Sequence, residues 1–468
     1  MSTSPVSSRP RGHSGSFACS RRGLRWVRAA IAGSRWLGPA AAVLLAVRPA
    51  PAQEALWSPL AAQAAAQALR NSMTGEAAAA ARQVRPESLP YTVKSGDFRL
   101  LVTPSLGLDW NDNINVSDSN PESDFILKPL LQLNASYPLT DRNLLRLTVG
   151  VGYDQYIQHD NWSGWVLQSG SELSFDMYIK DFWINLHDRF SYTEDPAQQA
   201  ALANTTSQYT TINNTAGLLT TWDLEDVVLN LGYDHENFWY PAQQYEYQNR
   251  ATELILGRAG LRVHPRVTAG VEGTVALTSY EQAVLNDNTG YSVGLYADWQ
   301  PGPSLRVQPR GGYTIYQFQQ TSQTGFQQPG QPIQTSDLNS WYAGLNVTHQ
   351  ITDAVNYSLD AGHELRLGVQ SDLIEDSYVR ANVNWNIVKN LALTTSLFYE
   401  HGNQGQGNVT GGLTETYDWY GGTIGLRHDL TKRLMLSLNY RLTLRSSNSP
   451  NRDYTQNLVG LLLTYNIK

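Results

Sequence analysis

Histidine is the side chain best suited to moving protons near neutral pH. The chain carries eight beyond its N-terminal region: His159, His187, His235, His264, His349, His363, His401 and His428. They stand singly. No HExxH or GxSxG context surrounds any of them. His363 beside Glu364 and His428 beside Asp429 would point to opposite faces of a strand, out of mutual reach. These residue types therefore argue against catalysis, and no catalytic, cofactor-binding or metal-ligating set is assigned. The stretch DWNDNINVSDSNPESD begins like a calcium loop, with Asp109, Asn111 and Asn113 at alternate positions. Ile114 stands where that loop needs glycine, so the expectation is a solvated acidic loop, with divalent bridging to lipopolysaccharide as the alternative.

Arginine offers a different chemistry, because rings of guanidinium groups lining a passage favour anions. Whether Arg99, Arg146, Arg258, Arg262, Arg306, Arg310 and Arg427 can form such a lining depends on the elements that carry them. The stretch LRLTVGVGYDQY from Leu145 puts Leu145, Leu147, Val149, Val151 and Tyr153 on one face of a strand and Arg146, Thr148, Gly150, Gly152 and Asp154 on the other. A soluble sandwich buries such apolar faces against each other, whereas a membrane barrel turns them to lipid.

From Asp97 onward, eighteen segments show this period of two. Long polar loops begin near Asn111, Gln155, Glu194, Glu236, Glu281, Phe318, Gln370, His401 and Ser446, and they alternate with short turns at Leu139, Lys180, Asp223, His264, Pro301, Thr352, Val388 and Leu430. Outer-membrane barrels sort their connections in this way, and a Greek-key sandwich has no reason to. Tyrosine and tryptophan cluster near the outer strand ends, as at Trp110, Tyr153, Trp165, Tyr291, Trp341 and Tyr420, with a sparser set at the turn ends. The last segment, NLVGLLLTYNIK, places Val459, Leu461, Leu463, Tyr465 and Ile467 on one face, a pattern similar to the signal read by the barrel assembly machinery. The expected fold is an all-β transmembrane barrel of about eighteen antiparallel strands, wide enough for an aqueous channel unless something fills it. The stretches TSQTGFQQPGQPIQ from Thr321 and NQGQGNVTGG from Asn403 read as polar external loops, either of which could fold inward as a constriction.

The N-terminal part differs in texture. A basic segment with Arg21, Arg22, Arg25, Arg28 and Arg35 precedes the apolar run WLGPAAAVLLAV and the small residues Ala50 to Ala52, so residues 1–52 read as a signal peptide. Residues 53–90, rich in alanine and glutamine, read as a periplasmic extension with short helical character, and 91–468 as the barrel. The leader holds eight arginines and no acid, which leaves 26 basic against 41 acidic residues and excludes nucleic acid as a partner. The single cysteine, Cys19, falls in the leader, so neither disulfides nor thiolate-bound metal are available to the barrel.

Strands such as LRLTVGVGYDQY and VVLNLGYDHENFWY, with GYD running into an aromatic loop at Gly152 to Asp154 and Gly232 to Asp234, resemble the outer-membrane β-barrel porin 2 family over roughly residues 90–468. That resemblance implies an outer-membrane barrel in a Gram-negative-type bacterium. It also implies a conduit for exopolysaccharide, working with a periplasmic polysaccharide export protein. A general diffusion porin for small solutes is the alternative. No catalytic residues come with the resemblance. With the N-terminus in the periplasm, the seven arginines named above fall toward the periplasmic end of the interior, and Asp109, Asp154, Asp234, Glu236 and Glu400 toward the outside. Asp176 and Asp298 break the sorting. The arginines then either form a vestibule for an anionic or hydroxyl-rich chain or pair with interior acids to brace the wall.

Overall fold

The computed structural model describes residues 90–193, 210–282, 284–319, 337–368, 373–404 and 415–467. The expected leader and all but Pro90 of the expected extension lie outside the described residues, as do the stretch from Thr321 and most of that from Asn403.

A short strand β1 (Val93–Ser95) leads into the first long strand, β2 (Phe98–Asn111). The first half of the wall continues with β3 (Asp124–Thr140), β4 (Asn143–Tyr156), β5 (Gly164–Ile179), β6 (Phe182–Thr193), β7 (Thr211–Asp223), β8 (Val227–Trp239), β9 (Arg250–His264) and β10 (Val267–Tyr280). The second half comprises β11 (Asn288–Gly302), β12 (Leu305–Phe318), β13 (Leu338–Gln350), β14 (Val355–Leu367), β15 (Leu373–Val388), β16 (Leu391–Gln404), β17 (Glu415–Asp429), β18 (Leu434–Ser447) and β19 (Tyr454–Tyr465). Each strand from β2 to β19 pairs antiparallel with the next, and Leu458–Thr464 of β19 pairs with Ser105–Asn111 of β2. The ring is closed, so no edge is left unpaired. β1 forms a hairpin on the part of β2 that β19 does not reach, with Val93 opposite Leu100, and the Thr92 hydroxyl donates to the Ile467 carbonyl, tying the two chain ends together.

All the connections from odd to even strands are tight turns. Lys180 (φ 56°) and Glu225 (φ 69°) adopt the left-handed conformation that such turns need, a place more often taken by glycine or asparagine.

The alternation of each strand resolves into two faces. In β4, Leu147 and Val151 project outward while Gly150 and Gly152 are buried inside. In β19, Val459, Leu461, Leu463 and Tyr465 face outward and Leu458 and Leu462 inward. Gly150 has a specific reason to lack a side chain. Strand β5 carries two extra residues between its pairings with Thr148 and Val151, and Gly170 turns the bulge at φ 98°. The bulge lays Gln168 over Gly150, where a Cβ would come within 2.5 Å of its amide oxygen.

Candidate functional site

The inner face of the ring is the site, and its charges come in partners. Toward the periplasmic end, Arg146 of β4 pairs with Asp176 of β5. Arg306 of β12 grips Asp298 of β11 with two nitrogens, one of them at 2.8 Å. Arg262 of β9 holds Asp223 at 2.8 Å and also donates to the Glu225 carbonyl of the β7–β8 turn. Asp176 and Asp298, the acids that broke the depth sorting, are thus the partners of two of the arginines.

Midway up the wall, Arg258 lies directly opposite Glu272 with their charged atoms 2.6 Å apart, over the ring of Tyr296. Tyr342, three strands away, donates to the other oxygen of Glu272 at 2.9 Å. On β4 to β8 a polar chain runs sideways from Asp176. Asn185 donates to Asp176 at 2.8 Å, its carbonyl meets His187 Nδ1 at 2.9 Å, and His187 Nε2 meets Asp234 at 3.1 Å. Gly217, opposite Asp234, leaves room for that contact, since a Cβ there would stand 2.0 Å from Asp234 Oδ1 and 2.8 Å from His187 Nε2.

The outer half of the interior holds a branched web. Arg366 of β14 reaches Asp376 at 3.1 Å, Glu400 of β16, and the Tyr417 hydroxyl of β17 at 2.9 Å. Arg380 lies 3.7 Å from Glu400 and 3.9 Å from Asp360, and Arg310 lies 3.6 Å from Glu364. Glu415 takes Arg445 at 2.6 Å and Arg452 at 2.7 Å. Lys128 bridges Asp109 at 3.2 Å and Asp154 at 3.3 Å. Because acids and bases interleave here, the inner wall is not sorted by depth into a basic inner end and an acidic outer end.

Two placements remain. Arg99 is buried on β2 and points toward the Tyr91 ring. Arg427 sits half-buried near the inner end, opposite Ala392 and Ser437.

The mouth is narrowed by loops. In the β2–β3 loop, Ile114 and Val116 are 4% and 0% exposed, and Val116 packs against Phe398, Tyr417, Trp419 and Tyr454 of the inner wall. Phe398 and Trp419 lie 4.3 Å apart, centroid to centroid, and Trp419 Nε1 donates to the Tyr454 hydroxyl at 3.1 Å. Val116 holds φ at 44°, a costly conformation for a β-branched residue, which persists only where the surroundings impose it. This corrects the expectation of a solvated acidic loop for residues 113–116, while 118–123, with Asp118 and Glu122, are exposed. Val116 finds an aromatic inner wall, Ile114 is buried as well, and the polar groups of Asp112 and Asn113 serve the turn and its docking. Asn113 accepts from Ser117 N at 2.9 Å and donates to the Thr455 carbonyl at 2.9 Å, while Asp112 takes both Asn457 nitrogens. Asn111 accepts from Asn113 N, and Asp109 faces Lys128 at 3.2 Å. Among the described residues, no group of three or more His, Cys, Asp or Glu could hold a metal ion.

Two further loops contribute. Gln248 in the β8–β9 loop and Leu285 and Asn286 in the β10–β11 loop are buried. Burial pushes the Tyr247 phenol of the β8–β9 loop up to about 12, and the Arg452 guanidinium, from the β18–β19 loop on the far side of the ring, pulls the other way.

Sequence reasoning missed Lys128, Arg366, Arg380 and Arg445. The signal was present, since the alternation that turns Arg258 inward turns these inward as well. The inward apolar cluster of Trp183, Leu219 and Leu256 was missed for another reason: nothing local marks an apolar residue as belonging to a polar face.

A closed antiparallel ring of eighteen strands, apolar outside and lined with charge pairs inside, defines a porin-type outer-membrane β-barrel. The model of the family described as putative beta-barrel porin 2 matches residues 89–466, and the chain belongs to that family. No curated protein sequence matches it. Among solved structures it is similar to Pseudomonas aeruginosa OpdL, with 10% identity, 80% of this chain and 100% of that one covered, and a TM-score of 0.41. It is also similar to OpdK of the same organism (9% identity, 78% and 98% covered, TM-score 0.42) and to OccD3 (11%, 82% and 95%, 0.42).

Proposed function

We propose that this barrel is a non-enzymatic, passive channel for small polar solutes across the outer membrane of a Gram-negative-type bacterium, rather than a conduit for exopolysaccharide. The observation that carries this reading is the β2–β3 loop docked in the mouth, with Val116 fully buried against Phe398, Tyr417, Trp419 and Tyr454. A polymer needs an unobstructed bore, whereas a small solute needs only gaps lined by hydrogen-bonding groups. The charge pairs of the inner wall support a bracing role for Arg146, Arg258, Arg262, Arg306 and Arg310, because each already has a carboxylate partner. The outward row of Val459, Leu461, Leu463 and Tyr465 supports recognition of β19 by the assembly machinery.

Swelling of liposomes containing the purified protein tests the reading. Monosaccharides enter, and entry falls steeply with oligosaccharide length. Deleting residues 114–120 raises both single-channel conductance and the size limit. A folded barrel that passes no small solute, or passes long oligosaccharides as fast as monosaccharides, overturns it. Replacing Arg258, Arg262, Arg306 and Arg310 with Ser separates the two arginine roles. Bracing predicts a folding defect, and an anion vestibule predicts a folded channel shifted toward cations.

A further inference from the structure

The pattern Tyr-acid-His-x-Asn occurs twice, each time near the outer end of an ascending strand: YDHEN at Tyr233–Asn237 in β8 and YEHGN at Tyr399–Asn403 in β16. In both, the acid (Asp234, Glu400) is buried on the inner wall while tyrosine, histidine and asparagine lie on the outward register. The next strand supplies a carboxylate directly opposite each histidine, Glu253 for His235 and Asp418 for His401.

The contacts are congruent. Tyr233 donates to Glu253 at 2.5 Å, and His235 Nδ1 meets the other oxygen of Glu253 at 2.8 Å. Tyr399 donates to Asp418 at 2.8 Å, and His401 Nδ1 meets the same carboxylate at 2.8 Å. Each ring is thereby held by Nδ1, which leaves Nε2 as its remaining hydrogen-bonding atom on a side chain 38% exposed at His235 and 45% at His401.

Height decides what the rings face. Below them the outward residues are Val227, Leu229 and Leu231 in β8 and Leu391, Leu393, Thr395 and Leu397 in β16. From Leu391 to His401 the strand climbs about 26 Å at the usual rise and a tilt near 40°, which matches an apolar band of about 25 Å. The histidines therefore stand where hydrocarbon gives way to headgroups at the outer surface, each with an asparagine one step higher.

We propose that these two tracks dock the phosphate of an outer-leaflet glycolipid, with imidazole Nε2 and the asparagine amide as donors. An anion at Nε2 sets the ring between it and the carboxylate at Nδ1. Both ring nitrogens are then engaged, Nδ1 by the carboxylate and Nε2 by the phosphate, and hydrogen bonds to such ionised acceptors are charge-assisted. This inference rests on the outer-membrane location but not on what the channel passes.

Native mass spectrometry of the intact protein in detergent, titrated with diphosphorylated lipid A, is the test. The wild type takes up two lipids, and His235→Ala with His401→Ala binds about tenfold more weakly, the effect of losing one charge-assisted hydrogen bond. Each single variant loses one of the two sites. Lipid A stripped of phosphate binds the wild type as weakly as lipid A binds the double variant. His349→Ala, an outward histidine at the periplasmic end beside Tyr357, binds like the wild type. If the alanine variants fail to close, as judged by heat-modifiable gel migration, His235→Gln and His401→Gln keep the bond to the carboxylate, lose the second ring nitrogen, and carry the same expectation. Equal binding by the double variant, equal binding of the stripped lipid, or loss of binding in EDTA overturns the proposal. Conductance of the double variant stays at the wild-type value, because both sites lie outside the wall, so failure here leaves the channel reading standing.

Discussion

The two halves of the barrel interior handle charge differently. Toward the periplasm, three arginines each take a single acid, Arg146 with Asp176, Arg306 with Asp298 and Arg262 with Asp223. Toward the outside, single groups serve several partners, as Arg366 does for Asp376, Glu400 and Tyr417 and Glu415 does for Arg445, Arg452 and Ser447. Arg146 with Asp176 and Arg306 with Asp298 each pin two neighbouring strands that already share a hydrogen-bonded ladder, and Arg262 reaches past β8 to the end of β7. A web from β14 to β18 stiffens a whole sector of wall, and Tyr417 belongs both to that web and to the aromatic patch on which Val116 docks. The outer half is built as a rigid seat for a loop, and the inner half as a simple sleeve.

The largest effect should come from removing the centre of the web. Arg366→Met leaves Asp376 and Glu400, each 1% exposed, without their main cation, and should cost about 3–5 kcal/mol. The measurement is the temperature at which the barrel unfolds on heat-modifiable gels. If Arg366→Met migrates like the wild type at every temperature, the web does not carry the outer half. The wall around both halves should respond next. Val149→Arg or Leu461→Arg, on the outward face, should cost about 2–4 kcal/mol near the membrane midplane and reduce assembly, while Thr148→Arg, inward and opposite Glu172, should assemble normally. Equal behaviour of Val149→Arg and Thr148→Arg would mean that the faces are misassigned.

A smaller loss is expected at Gly217→Ala, where the added carbon must displace Asp234 from His187, at about 1–3 kcal/mol. Pairing this change with His187→Ala should be less than additive, because both remove the same contact. The smallest effect should appear at the periplasmic rim, where Arg262→Ser breaks a pair that is about one-third exposed and should cost about 1 kcal/mol or less. A rim loss as large as that at Arg366 would erase the distinction between sleeve and seat.

The strand count, the two faces of each strand and the sorting of tight turns to one end were legible in the sequence, because all three follow from local chemistry. Side-chain direction alternates within a single strand, so LRLTVGVGYDQY carries its own inside and outside whatever its neighbours are. Which charges meet was not legible. Arg366 and Glu400 are 34 residues apart on strands separated by a third, and only the stagger of the closed ring brings them together. The first loop shows the same limit. Val116 was visible as an apolar residue in an acidic stretch, but the surface it covers is assembled from β16, β17 and β19, more than 280 residues further along the chain. The sequence by itself determined a barrel of eighteen two-faced strands, since period and turn chemistry are properties of short segments. Only the tertiary structure decided that its mouth is narrowed and its inner charges are paired, since those depend on register and on contacts between strands that no local pattern records.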